Sequence, residues 1–436
     1  MDSKKSNKYS VTPFDIVLFL TLFCFFIAII HLNKEGKTIV EGLVLSLGFW
    51  KDGFFGLLDF TLQMMMILVF GYALAVFKPI HQFLKKISSA PNSKVSAVLF
   101  VGVITMVSGL FNWGFGLIVG ALLARFVSKA MQEKGVMVHP ALLGAAGYLG
   151  MAVWHGGLSG SAPLKVAEEG HFLESSIGII SVDQTIFTNF NLIVTAGLLL
   201  VFMLTLYLLS KKNLPNEVII NSKELSPIAP GKSGFAGLMV GIAMILAVVV
   251  QFFIGDEGFG LEYVNLNWMN FILFALVLII YRNLSQFTKA TLEGLKNSVD
   301  IFIQFPFYAG ILGLVTYSGL LGSVSQFFLN TTNGDVFPFL ALTSSAIVNL
   351  MVPSGGGQWA VQGPIIMEVA KNLNLDSGKM ILVFAYGDQI SNLLQPFWAL
   401  PLLAITGLSA RELLRYTGWL FLAGFTFLVV VVFFFF

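Results

Sequence analysis

Two stretches of this chain place helix breakers and small polar side chains inside strongly apolar surroundings: VPSGGGQW at 352–359 and WHGGLSGSAPL at 154–164. In the first, Pro353 stops an incoming apolar helix, and Gly355, Gly356 and Gly357 let the backbone adopt φ > 0 and approach a ligand closely. Ser354 and Gln358 add side-chain donors, and Trp359 supplies an apolar wall. A helix that starts at such a break presents unpaired N–H groups and the positive end of its dipole. That combination binds a small anion without arginine or lysine. The second stretch combines Trp154, His155, Gly156, Gly157, Ser159 and Ser161. Two more breaks would converge with these. FNWGFG holds Asn112, Trp113 and Gly114; DQISNLLQPFW holds Asp388, Ser391, Asn392 and Gln395 ahead of Pro396. With Phe397, Trp398 and Trp359 as apolar sides, the set suits a ligand with one carboxylate and a short apolar tail. A dicarboxylate or sulfate would want more donors and less aromatic surface.

Cation chemistry has its own candidates. Asp388 is a carboxylate in a membrane pattern, expensive and functional by default. His155 is the only histidine well inside the apolar pattern. Either could carry a proton, whereas carbonyls at the breaks with Asn112, Asn349 and Asn392 could coordinate Na⁺. No other metal or cofactor is expected. Plainer readings stand beside these: glycine runs as packing surfaces, Asn112 as a bond across helices, His155 as a packing histidine, and Glu368 as a solvated hairpin base. Three consecutive glycines after a proline make a poor packing surface, so a functional turn is the better reading there.

The elements that must hold these residues are membrane helices. The 436 residues are 56% hydrophobic and 11% charged, and the mean hydropathy is +0.85. Several windows exceed the roughly 20 apolar residues that a spanning helix needs. Their long helical runs exclude an outer-membrane barrel. A net charge of +2 and the lack of a basic tract exclude a nucleic-acid partner. The single cysteine, Cys24, permits no internal disulfide. Lys4, Lys5 and Lys8 precede an apolar run too long for a signal peptide, so the first helix is expected to stay uncleaved.

Loop charges set the expected topology. Basic groups around Lys78 to Lys86, Arg125 to Lys134, Lys211 to Lys232, Arg282 to Lys296 and Arg411 to Arg415 belong to the cytoplasm, as does the N-terminus. The acidic EEGHFLE and GDEGFGLE loops belong outside. Residues 94–130 then begin and end inside, and residues 336–374 begin and end outside. Each arm of about 16 residues reaches roughly 24 Å, short of a crossing. Both read as re-entrant hairpins. The chain thus divides into a first repeat, 1–210 (hairpin 94–130, interrupted helix 136–165), and a linker with a connecting helix, 211–263. A second, inverted repeat, 264–436, carries the hairpin 336–374 and the interrupted helix 379–409. The expected fold is an all-α polytopic membrane protein with about nine spanning helices and two hairpins, the pattern of a secondary transporter.

At VPSGGGQWAVQGP and WHGGLSGSAPL the chain resembles the bacterial short-chain fatty acid transporters, which take up acetoacetate, butyrate and similar acids. That family belongs to a wider ion-transporter superfamily with inverted repeats and paired hairpins, and the likeness runs over nearly the whole chain. It implies a glycine-rich hairpin turn at Ser354 to Trp359, a His-Gly-Gly segment at His155 to Gly157, and a homodimer in the cell inner membrane. The Ser-Asn-Thr tips of dicarboxylate relatives are missing, which argues against a dicarboxylate. A short-chain acid is anionic at neutral pH, and importing it against an interior-negative potential costs about 2.3 kcal/mol per 100 mV. Accumulation therefore calls for symport with Na⁺ or H⁺. The rival readings are an inorganic-ion or dicarboxylate permease of the same fold and an intramembrane hydrolase using Ser159 and His155. No Walker loop supports a primary pump.

Overall fold

The computed structural model describes residues 13–211, 226–231, 234–254, 261, 263–395 and 397–436. Lys4, Lys5 and Lys8 lie outside the described residues, as do Lys212, Lys223, Lys232, Asp256, Glu257, Glu262 and Pro396. Among the described residues the fold is all-helical; one isolated bridge, Phe77 to Ile228, is the only extended pairing. Seven of these helices are long and apolar enough to cross a membrane, and three shorter ones are apolar as well. Large apolar side chains point outward, with Phe19 68%, Leu200 71% and Phe235 76% exposed. A bilayer would cover them.

Helices Leu58–Ala75 and Val299–Tyr317 run through the centre of the molecule, and both turns described next lie against them. The first hairpin consists of Lys94–Phe111 and Trp113–Glu133, joined by the single residue Asn112. Asn112 is extended (φ −157°, ψ 125°) and its side chain caps the second arm. Its Oδ1 accepts from Phe115 N–H at 2.8 Å, and its Nδ2 donates to Ile67 O at 3.1 Å. Ile67 lies midway along Leu58–Ala75, so the turn sits at the depth of that helix's middle. The arms have 18 and 21 residues, more than the sequence suggests. The surplus is at polar ends, Lys94 and Ser96 on one arm and Lys129 and Glu133 on the other.

The second hairpin pairs Phe337–Met351 (15 residues) with Gly355–Asn372 (18 residues). Its turn rests on Phe60 and Met64 of one central helix and on Phe305 and Tyr308 of the other. Each interrupted helix differs in detail from expectation. The first leaves the α-helix after Pro140–Tyr148, continues as 3-10 turns at Leu149–Ala152 and Trp154–Gly156, and resumes at Ser161–Lys165. Unwinding therefore starts ahead of Trp154, where Gly147 and Gly150 meet the first hairpin backbone to backbone. A Cβ on Gly120 would stand 1.9 Å from Gly147 O, and one on Gly109 would stand 2.6 Å from Gly150 Cα. The second stays helical over Ser377–Ser391, turns 3-10 at Asn392–Leu394 and resumes at Leu400–Thr406. Asp388 thus belongs to the last full helical turn and not to the break itself.

Two polar regions also depart from the sequence reading. The basic stretch near Lys78 is a helix, Lys78–Ile87. Glu168 of the acidic loop is 4% exposed and hydrogen-bonded, where a solvated loop residue was expected.

Candidate functional site

The glycine turn is built by its neighbours in sequence. Pro353 offers no N–H, and Ser354 is extended (φ −159°, ψ 103°), with its Oγ accepting from Gly357 N–H at 3.2 Å. That cap leaves the N–H groups of Gly355 and Gly356 without an intrahelical acceptor. Side chains have no room here. A Cβ on Gly355 would come within 2.9 Å of the Trp154 ring, and one on Gly357 within 2.4 Å of Tyr308.

A cavity of about 20 Å³ lies where Ser354, Gly355, Asn392, Trp113, Trp154 and Trp398 meet, with Met64, Met151, Ile301 and Phe305 completing its wall. The tryptophans pack around it, Trp113 edge-on to Trp398 at 5.1 Å and tilted against Trp154 at 6.0 Å. Such a volume holds about one water molecule and not a carboxylate with its carbon tail, so the molecule is shut around its centre. Larger cavities approach from either end of Val299–Tyr317. One of about 330 Å³ reaches Tyr317, Glu368 and Phe172; one of about 170 Å³ reaches Asp300, Lys296 and Trp398.

Behind the tryptophans is a buried polar layer. His155 is fully buried; its N–H donates to Gln389 Oε1 at 3.0 Å, and its ring lies flat on Trp154 at 4.1 Å. His155 Nδ1 is 3.2 Å from Ala385 O and 3.1 Å from Asp388 Oδ2, and Nε2 is 2.6 Å from Ser161 Oγ. A carbonyl only accepts, so Nδ1 carries a proton and, in the neutral ring, Nε2 accepts from the Ser161 hydroxyl. Nδ1–H is aimed at Ala385 O, which leaves Asp388 close to the ring but without an aligned donor on either oxygen.

Asn349 Nδ2 donates to Asp388 O, Ser391 Oγ and Asn392 Oδ1 at 2.8, 2.9 and 2.9 Å. Gln358 Nε2 donates to Ser345 O at 2.8 Å, and Gln395 Nε2 to Asn349 O at 3.2 Å. The buried acceptors Asp388 Oδ1 and Oδ2, Asn349 Oδ1, Gln358 Oε1 and Ser345 Oγ have no hydrogen-bond partner. They sit on three helices that touch here: Ser345 O meets Gln358, Asp388 O meets Asn349, and Ser345 Cβ would lie 2.7 Å from a Cβ on Gly387. Uncapped buried oxygens are costly, and an all-oxygen set is the kind a hard cation fills.

The residues singled out from sequence thus fall into three groups. Trp113, Ser354, Gly355 and Asn392 line the central cavity. His155, Asn349, Gln358, Asp388 and Gln395 form the polar layer, and Trp359 packs beside it on Phe384 at 4.9 Å. Asn112, Gly114, Gly156, Gly157 and Ser159 support the turns: Ser159 Oγ accepts from Trp113 N–H at 2.9 Å, a Cβ on Gly157 would stand 2.2 Å from Leu110 O, and both ends of the Asn112 amide are engaged. Ser345 and Gln389 escaped the sequence reading because each sits beside another polar residue, Ser344 and Asp388, and the spacing does not say which of the two turns inward. Removing the Asn349 side chain takes the shorter donor from Asp388 O and Asn392 Oδ1, which keep as side-chain donors only Ser391 Oγ at 3.0 Å and Gln395 Nε2 at 3.4 Å. Asn349→Ala is therefore expected to cost on the order of 1–3 kcal/mol, measured as a lower thermal midpoint of the detergent-purified protein; an unchanged midpoint would mean these oxygens find other donors.

The same arrangement of elements recurs in solved transporters. The structure matches the Alcanivorax borkumensis YdaH transporter with a TM-score of 0.62, covering 98% of this chain and 99% of that one at 14% identity. It matches Neisseria gonorrhoeae MtrF, described among a class of antimetabolite efflux pumps, with a TM-score of 0.59 over 97% and 95% at 14% identity. Identities this low speak for the fold alone. The family model for short chain fatty acid transporters matches residues 3–436. The chain belongs to the short chain fatty acid transporter family. An Escherichia coli (strain K12) relative named for short-chain fatty acid transport is 34% identical over 443 residues, 96% of this chain and 97% of the relative. A Haemophilus influenzae protein named for the same transport is 34% identical over 394 residues, 84% and 85% of the two chains. Membership makes this a multi-pass transporter, and it places the glycine turn and its tryptophans inside a short chain fatty acid transporter.

Proposed function

We propose that this protein is a secondary carrier that takes short-chain monocarboxylates across the cytoplasmic membrane, N-terminus inside, together with a cation. One observation carries the reading. The helix start at Ser354 and Gly355 lines a tryptophan-walled cavity in which, among the described residues, no lysine or arginine takes part. Free N–H groups and the dipole end suit one carboxylate, and the indoles suit a short alkyl tail. A dicarboxylate would leave its second charge against indole, which disfavours the dicarboxylate and inorganic-ion permease readings. The names of the curated relatives point the same way.

For the coupled cation, the partnerless oxygens of Asp388, Asn349, Gln358 and Ser345 favour Na⁺. Asn112, engaged at both ends, is not needed for it. The work is alternating access: the shut centre opens toward one end cavity and then toward the other.

A hydrolase reading has one observation behind it. Ser161, His155 and Asp388 follow the order of a hydrolytic triad, Ser161 taking the place first given to Ser159. Ser161 is fully buried against the glycine turn, and the adjoining cavity is too small to seat an ester or amide. Ser161 and His155 are better read as a hydrogen-bonded link from the first break to the second interrupted helix, made through Ala385 O and Gln389 Oε1.

Labelled butyrate uptake into proteoliposomes decides among these. An inward Na⁺ gradient is expected to drive accumulation. Stimulation by an inward proton gradient alone would move the coupling to His155 and Asp388 as proton carriers. No butyrate uptake under either gradient, beside a working control carrier, would overturn the monocarboxylate reading.

A further inference from the structure

A buried ion cluster lies beside the glycine turn, and nothing above uses it. Lys165, at the end of the short helix that begins with Ser161, is 7% exposed and is the one buried lysine or arginine among the described residues. Its Nζ donates to Glu168 Oε2 at 2.6 Å and to Gln63 Oε1 at 3.2 Å. The ammonium also stands 5.4 Å from the centre of the Phe60 ring. Phe60 in turn presses on the glycine turn, its Cζ 3.0 Å from where a Cβ of Gly356 would be. Its ring meets Phe305 at 5.7 Å and Phe172 at 6.2 Å. Phe172 lines the 330 Å³ cavity. Phe60 therefore lies between Phe172, on that cavity's wall, and the turn, with Lys165 beside its ring.

The two charges are not held equally. The Glu168 carboxylate also accepts from Gln63 Nε2, at 2.9 Å to each oxygen, and from Asn267 N–H at 3.1 Å. It stays hydrogen-bonded if the lysine leaves. Lys165 has three donors, two oxygen partners and a flexible stem. An ammonium buried this deeply is tolerated only next to an anion, so if it moves it must move to another one.

We propose that Lys165 recognises the substrate carboxylate on the approach from the 330 Å³ cavity. When Phe60 swings aside, the ammonium exchanges Glu168 for the incoming acid and delivers it to the Gly355 and Gly356 amides. Lys165 and Ser161 share one short helix, so the exchange and the glycine turn are joined through a single element. The inference rests on the monocarboxylate reading above.

Initial rates of butyrate uptake by the full-length protein in proteoliposomes test it. In K165M/E168Q both charges go together, no lone buried ion remains, and the KM is expected to rise about tenfold, the worth of one charge-assisted hydrogen bond, with kcat less changed. Lys165→Met alone leaves Glu168 held by its Gln63 and Asn267 donors and is expected to raise the KM to a similar degree. A mere structural fastener predicts otherwise: the double variant, with no lone buried charge, would keep the wild-type KM. That result overturns the role of Lys165. If wild-type protein moves butyrate, the monocarboxylate reading stands whatever the variants do; if it moves none, that reading falls and the inference falls with it.

Discussion

Uptake by a Gly356→Val variant is expected to fall to about a tenth of wild type or less, while the variant still assembles as a folded membrane protein. The backbone at Gly356 is helical, and valine is no worse than glycine there by intrinsic preference. The cost comes from space. A Cβ would meet the ring tips of Phe60 and Phe305 at 3.0 Å each and Met64 Cγ at 3.3 Å. All three are ends of side chains, which can shift. Overpacking of this kind costs about 1–3 kcal/mol, within what a folded protein of ordinary stability can lose. Phe305 and Met64 line the 20 Å³ cavity, so displacing them narrows the centre through which, on the proposed function, the substrate passes. Gly120→Ala is the contrasting control: its Cβ would stand 1.9 Å from Gly147 O, and backbone there cannot yield without separating the hairpin from the first break. That variant is expected to lose folded protein, measured as loss of the monodisperse peak on size exclusion. Wild-type uptake by Gly356→Val would remove the glycine turn from the transport route.

Asp388→Asn is expected to abolish gradient-driven accumulation of butyrate, at least tenfold, while exchange of labelled for unlabelled butyrate across the membrane persists. The substitution keeps shape and removes one charge from a residue that is 1% exposed. Without that charge the oxygens of Asn349, Gln358 and Ser345 have no carboxylate to hold a cation with, and the anion must travel uncompensated against roughly 2.3 kcal/mol per 100 mV. Exchange needs no net charge movement, so it survives if Asp388 serves coupling and not substrate binding. Loss of both activities would assign Asp388 to the substrate site. Unaltered dependence on the ion gradient would take it out of coupling altogether.

Much of this architecture was legible in the sequence because lipid is so restrictive a solvent. Every long helix had to announce itself as an apolar run, and each break had to sit among proline, glycine and small polar residues. The turn at Ser354 could be read for that reason, but not its detail: Ser354 caps the helix where the sequence suggests a ligand donor, and the three glycines are helical where it suggests φ > 0. What stayed hidden was pairing. Nothing in the spacing of His155 and Asp388 brings them together across the first and second breaks, and the sequence points to Ser159 as the histidine's neighbour where Ser161 takes that place. Asn112 and Asn349 look alike at their hairpin turns, yet one is bound at both ends and the other keeps a free oxygen. Lys165 passed unremarked because its partner Gln63 is 102 residues away. The Glu168 at i+3 was the available hint, an ion pair next to membrane-embedded sequence.

The two end cavities lie toward opposite ends of Val299–Tyr317, and the packed rings from Phe172 to the Trp113–Trp398 pair lie between them. A membrane voltage falls where conducting water is absent, and low-dielectric walls concentrate the field lines there. With both cavities water-filled, nearly the whole potential drop would fall on the few side chains around the glycine turn. A carboxylate handed from Lys165 to Asn392, as proposed above, would then cross almost the full electrical distance, and the electrical work of transport would be done within a slab much thinner than the bilayer.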